Sequence, residues 1–536
     1  MQNTLISGST IFDGTGGDPV VADISIVDGR VAEVGADLSV QDAVHIDARG
    51  LAAAPGFIDM HSHADFTMPS FPDAINSLSQ GVTTEVVGNC GSSPAPLAPR
   101  GSELRNAWIS SRAIGGDLSW EWTGFSDYLD ALGHPSVNTA PLVGHGAVRS
   151  AVFGIEDRPP TASELQAMKR LVAEALDAGA WGLSTGLVYP PGRFADTAEV
   201  LELAAVVAAR GGLYSTHMRD EGARLAESVE EALEVGRRTG VRVEISHLKA
   251  AGAANHGRVA SALESIESAR SAGVAVGCDA YPYTAGSTTM TQLLPPWTMV
   301  GGAAAAIERL KSADVRQQIR AEVASDPSAY LNAAGGWGTV MVASVGDRRF
   351  RRFEGRMLPE LAAAEGKDEF EFLFDLMVDD RARMTMIIFV MDQSDVDTVL
   401  DHDATVIGSD LLGVVSPDAR VHPRAYGSFA RVMRRAADRG DKALADMISR
   451  ATGRTAGRLG MSDRGLLRPG YVADLVVFDP AQVADHATFD QPTELASGVS
   501  KVFLAGRLAF ADGAPVDTSL GQVLRREPPS GKGAHR

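Results

Sequence analysis

The spacing of apolar positions changes character along the chain. Near the start, Thr4-Leu5-Ile6, Ile24-Ser25-Ile26-Val27 and Arg30-Val31-Ala32-Glu33-Val34 are short stretches, alternating in part, separated by turns such as Asp28-Gly29. Such runs predict a β meander over residues 1–55. The same texture returns at Asp474-Leu475-Val476-Val477-Phe478 and at Val499-Ser500-Lys501-Val502-Phe503-Leu504 before Gly506. Residues 1–55 and 465–524 are therefore expected to form one small β-sandwich domain from both chain ends.

Between the two ends, short apolar runs that finish in polar residues occur at 56–59, 84–88, 139–143, 181–184, 213–216, 241–246, 274–277 and 404–408. Stretches with apolar residues three and four apart lie between several of them, at 163–178, 196–210, 224–239 and 258–272. Alternating strand and helix signals imply a parallel sheet, and eight of them predict an α/β fold of the (β/α)8 TIM-like barrel type over 56–464. The interval from about 286 to 399 is far longer than a normal crossover. It holds a helix-like stretch at 315–324 and strand-like runs at 339–344 and 386–390. An insertion over 286–350, before the last barrel strand, is expected at the barrel mouth, where long loops shape pockets. The segment 525–536, with its Pro-Pro-Ser-Gly-Lys-Gly, reads as a disordered tail.

Composition narrows the function. With 68 acidic against 49 basic residues the formal charge is -19, which opposes a phosphate-binding footprint and so excludes nucleic acid as the expected partner. No apolar run approaches 18 residues, and the first residues lack a basic segment followed by an apolar one, so neither a membrane span nor a secretory leader is expected. Two cysteines, Cys90 and Cys278, cannot frame a protein of 536 residues with disulfides, which suits a reducing, cytoplasmic setting. No pattern specifies an oligomeric state.

The candidate chemistry lies where the strands end. His61 and His63 follow the first run, and an i, i+2 pair in extended chain points to one side about 6.6 Å apart. Cys90 follows the second run, His217 the fifth, His247 the sixth and Asp410 the eighth. Singly these are weak signals. Jointly, four of only 12 histidines fall at the strand ends where barrel enzymes place their active sites. Imidazole, thiolate and carboxylate donors together suit zinc better than magnesium or calcium. Cys278, within a strand-like run, reads as a small buried hydrophobe, and His145 as either a supporting or a pocket residue.

At these positions the chain resembles a known family. Ala54-Pro55-Gly56-Phe57-Ile58-Asp59-Met60-His61-Ser62-His63 looks like the opening signature of the amidohydrolase superfamily. The runs 80–91 (ending Gly88-Asn89-Cys90-Gly91), 183–192 (ending Tyr189-Pro190-Pro191-Gly192), Ser246-His247-Leu248-Lys249 and His422-Pro423-Arg424-Ala425-Tyr426-Gly427 resemble its N-acyl-D-amino-acid deacylase, or D-aminoacylase, branch. Hydantoinase- and dihydroorotase-like relatives bridge two metals with a carboxylated lysine after the fourth strand, whereas no lysine lies between Lys169 and Lys249 here. In the D-aminoacylase branch a cysteine takes that bridging position, and Cys90 occupies it. The resemblance implies a tight zinc site of Cys90, His217 and His247, and a weaker second site of His61, His63, shared Cys90 and Asp410.

It also implies an activity: zinc-dependent hydrolysis of the amide of N-acyl-D-amino acids, with Asp410 as the catalytic general base and then acid. The substrate is a small anion, so its carboxylate needs a partner; Arg424 matches the family's clamp, and Lys249, on the same side as His247, is a second candidate. Tyr189, Tyr281 and Ser287 match pocket positions, with Tyr283 an alternative to Tyr281. Where the family continues Gly-Ser-Asp-Gly, this chain has Gly408-Ser409-Asp410-Leu411-Leu412, which is expected to place an apolar side chain near the pocket. Hydrolysis of a carbamoyl or acyl-peptide bond by the same centre is the alternative among enzymes, and an inactive barrel scaffold the alternative outside them.

Overall fold

The eight apolar runs form parallel strands that are buried on both faces, which is why they read as continuous rather than alternating patterns. In the computed structural model, which describes residues 3–111, 118–414 and 418–527, these strands are Phe57–Asp59, Val82–Val87, Asn138–Pro141 with Val143–Gly144, Gly182–Gly186, Leu213–His217, Arg242–Ile245, Val276–Ala280 and Thr405–Ile407. Each pairs in parallel with the next. The Leu142 N–H donates to Val87 O at 2.8 Å across the break in the third strand. The Met60 N–H donates to Ile407 O at 3.0 Å, and Ser62 bridges in parallel to Leu411, so the eighth strand meets the first and the circle closes.

The surrounding helices start and stop where the side chains dictate. Thr161 caps Ala162–Asp177 by accepting from the Glu164 N–H at 3.3 Å, while Glu164 accepts from the Thr161 N–H at 2.7 Å, a reciprocal capping box. Asp196 caps Thr197–Ala209 through the Glu199 N–H at 2.8 Å. Leu225–Thr239 and Val259–Ser271 complete the four predicted helices, all within a residue or two of the expected limits.

Both chain ends supply one nine-stranded sheet, ordered 514–515, 507–511, 499–504, 475–478, 52–55, 4–11, 20–27 and 30–35, with Val44–Asp47 lying parallel to the start of the strand Thr4–Ile11. Strand alternation divides its residues between two cores. Ala53, Leu475, Val477 and Phe503 pack with Ile6, Ile24, Ile26 and Val31 inside the domain. Ala52, Ala54, Val476, Phe478 and Val502 face the core shared with the barrel helices.

The insertion is longer than the expected 286–350. Its antiparallel sheet is built from Ala285–Thr289, Thr385–Phe389, Val340–Val342 and Arg356–Met357, so the unit runs to residue 389. The run near 386 is its central strand. The chain must return to pair with Ala285–Thr289 before the barrel resumes with Gln393–Asp401. Met290, Ile319, Leu358, Phe372, Leu373 and Met386 give this unit its own core. Of the expected tail, 528–536 lies outside the described residues. Arg525 and Arg526 are bound to the barrel: Arg526 N–H donates to Gly179 O at 2.9 Å, and Arg525 pairs with Asp130 at 2.5 Å. Among the described residues no helix is long and apolar enough to cross a membrane.

Candidate metal centre

The C-terminal ends of the strands deliver His61, His63, Cys90, His217, His247 and Asp410 to one place. Cys90 Sγ lies 3.3 Å from His61 Nε2, 3.5 Å from His247 Nε2 and 3.7 Å from His217 Nδ1. Sulfur and nitrogen ligands of one tetrahedral zinc, at about 2.3 and 2.0–2.1 Å from the ion, stand roughly 3.6 Å apart. Each sulfur–nitrogen separation therefore suits zinc, and Cys90 with His61 and His247 forms one group able to hold an ion. His63 Nε2 and His61 Nε2 lie 3.3 and 3.6 Å from Asp410 Oδ1, a second group able to hold a metal.

The backbone aims these donors. Cys90, His247 and Asp410 have φ of 52°, 37° and 52°, a region where non-glycine residues are strained by roughly 1–3 kcal/mol each. Gly88 and Gly91 flank the cysteine with φ of 79° and 69°. A Cβ on Gly88 would stand 2.1 Å from Leu142 O and one on Gly91 2.7 Å from Gly186 N, so only glycine lets the Cys90 turn nest between neighbouring strands.

Two buried carboxylates beneath the centre escaped sequence reasoning. Asp59 accepts from the His61 N–H at 3.1 Å and the Ser409 N–H at 2.8 Å, joining the first and eighth strand ends. Burial, reinforced by Glu85, pushes its carboxyl up to about 8. Asp279 accepts from the His247 N–H at 2.9 Å and lies 3.4 Å from His61 Nδ1. Burial opposes ionisation of Cys90, but the surrounding His61, His217 and His247 outweigh it and hold the thiol well below its ordinary range, toward the thiolate that binds metals.

Lys249, Arg424, Tyr189, Tyr281 and Ser287 all line the cavity above the centre. Arg424 is 1% exposed, its Nη1 is 2.7 Å from Asp410 Oδ2, its Nη2 donates to Ser287 O at 3.3 Å, and it stacks 4.6 Å over the Tyr281 ring. Its Nε and Nη1 have no aligned acceptor. The Tyr189 ring sits 4.8 Å from that of His217. Tyr283 points elsewhere, under Arg431 at 4.1 Å, which leaves Tyr281 as the ring of the pair that lines the cavity.

Lys249 is not a free cation. Its Nζ is 2.7 Å from Glu221 Oε1 and 2.7 Å from His247 Nδ1. Glu221 itself was missed, although it stands four residues after His217. Tyr330, from the insertion, also reaches the cavity, together with Leu293, Leu294 and Val323. His145 is bound to Glu199 at 2.7 Å and supports the barrel from outside the cavity. Of the two leucines after Asp410, Leu412 lines the cavity whereas Leu411 packs with Ala64, Val87 and Tyr426.

A closed barrel with a thiol, imidazoles and a carboxylate at its strand ends defines a metal-dependent hydrolase. A model of the amidohydrolase family matches residues 45–510, and the chain belongs to that family. It is 38% identical to D-aminoacylase of Alcaligenes xylosoxydans xylosoxydans over 97% of both chains, and 36% identical to N-acyl-D-aspartate deacylase of the same organism over 97% of this chain and 94% of that one. The solved structure of N-acyl-D-glutamate deacylase from Bordetella bronchiseptica, complexed with zinc and a phosphonate mimic of the tetrahedral intermediate, superposes with a TM-score of 0.82 at 35% identity, covering 98% of this chain and all of that one.

Proposed function

We propose that this chain hydrolyses N-acyl-D-amino acids to a carboxylate and a free D-amino acid. The observation that carries this reading is the position of Asp410, which touches His63 with one oxygen and Arg424 with the other. In an N-acyl amino acid the scissile nitrogen and the carboxylate share one carbon. A proton-handling carboxylate between metal donors and a buried guanidinium has the layout that such a substrate needs. The relatives named for D-amino acid substrates support the stereochemistry.

Cys90, His217 and His247 would hold one zinc tightly, and His61, His63 and Asp410, sharing Cys90, would hold a second more weakly. Zinc bound there supplies Lewis-acid polarisation of the acyl carbonyl and a water acidified toward a pKa of about 7. Asp410 takes the proton of the attacking water and passes it to the leaving amine. Arg424 gives its unused N–H donors to the α-carboxylate and so fixes the amide over the centre. Tyr281, stacked against the guanidinium, holds it in place. Tyr189 and Ser287 border the bound molecule.

The test is a panel of N-acetyl-D-, N-acetyl-L- and N-carbamoyl-D-amino acids, ranked by kcat/KM on protein of measured zinc content. Preference for the N-acetyl-D series is expected. Turnover of the carbamoyl series alone would overturn the reading in favour of another amide-type bond, and zinc below about half an equivalent with no turnover would favour an inactive scaffold.

A further inference from the structure

Cys90 faces His217 and His247 through different ring nitrogens, Nδ1 of the first and Nε2 of the second. A neutral imidazole has one lone pair and one N–H, so a histidine that gives its lone pair to a metal must carry hydrogen on the other nitrogen. That leaves His217 with an N–H at Nε2 and His247 with an N–H at Nδ1. Both free positions meet the same side chain: Glu221 Oε2 lies 3.5 Å from His217 Nε2, and Glu221 Oε1 lies 3.0 Å from His247 Nδ1.

We propose that Glu221 is a positioning residue, a single carboxylate that accepts from both histidines of the tight site and fixes them in opposite tautomers. This inference rests on the zinc assignment made above. Its two oxygens face two N–H groups, and a ligating imidazole ordinarily hands its second N–H to a carboxylate or carbonyl. One residue serves both rings because His217 and Glu221 leave the end of the same strand, while His247 comes from its neighbour. The position of Lys249 follows. At 2.7 Å the Lys249 ammonium can only donate to His247 Nδ1, so protonation of Nδ1 on metal binding must break that contact and leave Glu221 Oε1, also 2.7 Å away, to hold the ammonium at the cavity wall. The same carboxylate thereby ties the metal site to the cation nearest it.

Glu221 could instead be a direct ligand, since His217, Glu221 and His247 also lie close enough to surround an ion. X-ray absorption of the zinc-loaded full-length protein separates the two arrangements. A zinc–sulfur distance near about 2.3 Å is expected. Its absence would place the metal on the far side of the rings and overturn the proposal.

The closing experiment is zinc affinity by chelator competition for wild type, Glu221→Gln and Glu221→Ala, each checked by circular dichroism and melting temperature. Affinity should fall about 10–100-fold in E221A at unchanged fold. It should fall less in E221Q, which keeps one acceptor oxygen but turns an amide N–H toward the other ring. If E221A does not fold, E221Q carries the test. Affinity within twofold of wild type in the folded variants overturns the proposal. Wild-type turnover does not enter this readout, so a failed substrate panel with weakened zinc in E221A would reject the deacylase reading and leave the positioning role standing.

Discussion

Asp410 and Arg424 stand 2.7 Å apart, carboxylate oxygen to guanidinium nitrogen, with the pair closed off from solvent except toward the cavity. Burial alone would raise the Asp410 carboxyl, but Arg424, and after it His61 and His63, hold it well below the usual carboxylate range. The shift favours the ionised carboxylate, the form that the proposed general-base role requires.

Replacing Asp410 by Asn keeps the size and the left-handed backbone but removes the basic oxygen. We expect kcat to fall by about 10²–10⁴ with the Cys90–His217–His247 zinc retained. Steady-state kinetics on the variant with parallel metal analysis decides the matter; a zinc-loaded Asp410→Asn turning over at the wild-type rate would remove the general-base role.

Arg424→Ala should raise KM for N-acyl-D-amino acids about 10–100-fold, the factor expected for a charge-assisted hydrogen bond worth about 1.5–3 kcal/mol. Arg424→Lys should recover only part of it, because an ammonium cannot present two parallel N–H groups. A fall in kcat alone, at unchanged KM, would count against a ground-state clamp.

Cys90→Ser removes the sulfur shared by three imidazoles. Zinc content after dialysis against a mild chelator should drop to a small fraction of an equivalent, and added zinc should restore little turnover. Full retention of one zinc in Cys90→Ser would relocate the tight site away from the sulfur.

The two leucines after Asp410 should separate cleanly. Leu411→Ala empties a packed position beside Ala64, Val87 and Tyr426, and thermal or urea unfolding should show a loss of about 2–5 kcal/mol. Leu412→Ala, at the cavity wall, should leave the melting temperature nearly unchanged and shift relative kcat/KM across acyl chains and side chains. Equal destabilisation by both substitutions would contradict the distinction.

The barrel was legible because each of its strands is buried on both faces and ends abruptly in polar residues, and because four helices carry clear apolar periodicity. The same rule misled at the insertion: Thr385–Phe389 is equally buried, and its partner Ala285–Thr289 is too distant in sequence for spacing to reveal the pairing. The four histidines that the structure brings together at the strand ends stood out because imidazoles are scarce. Asp59, Asp279 and Glu221 did not, since acidic residues are common and these three act through neighbours' N–H groups that no spacing rule marks. The ion pair of Lys249 was equally hidden, because its partner Glu221 comes from another strand end.

The left-handed backbone at Cys90, His247 and Asp410 limits which replacements can be informative. Asparagine, aspartate and histidine adopt that conformation more readily than other side chains, whereas the β-branched valine, isoleucine and threonine resist it most. A β-branched residue at any of these three positions would deform the turn before its chemistry could be judged. The barrel thus acts as a filter on its own variation: substitutions that keep the turn can alter the reaction, and those that break it erase the centre altogether.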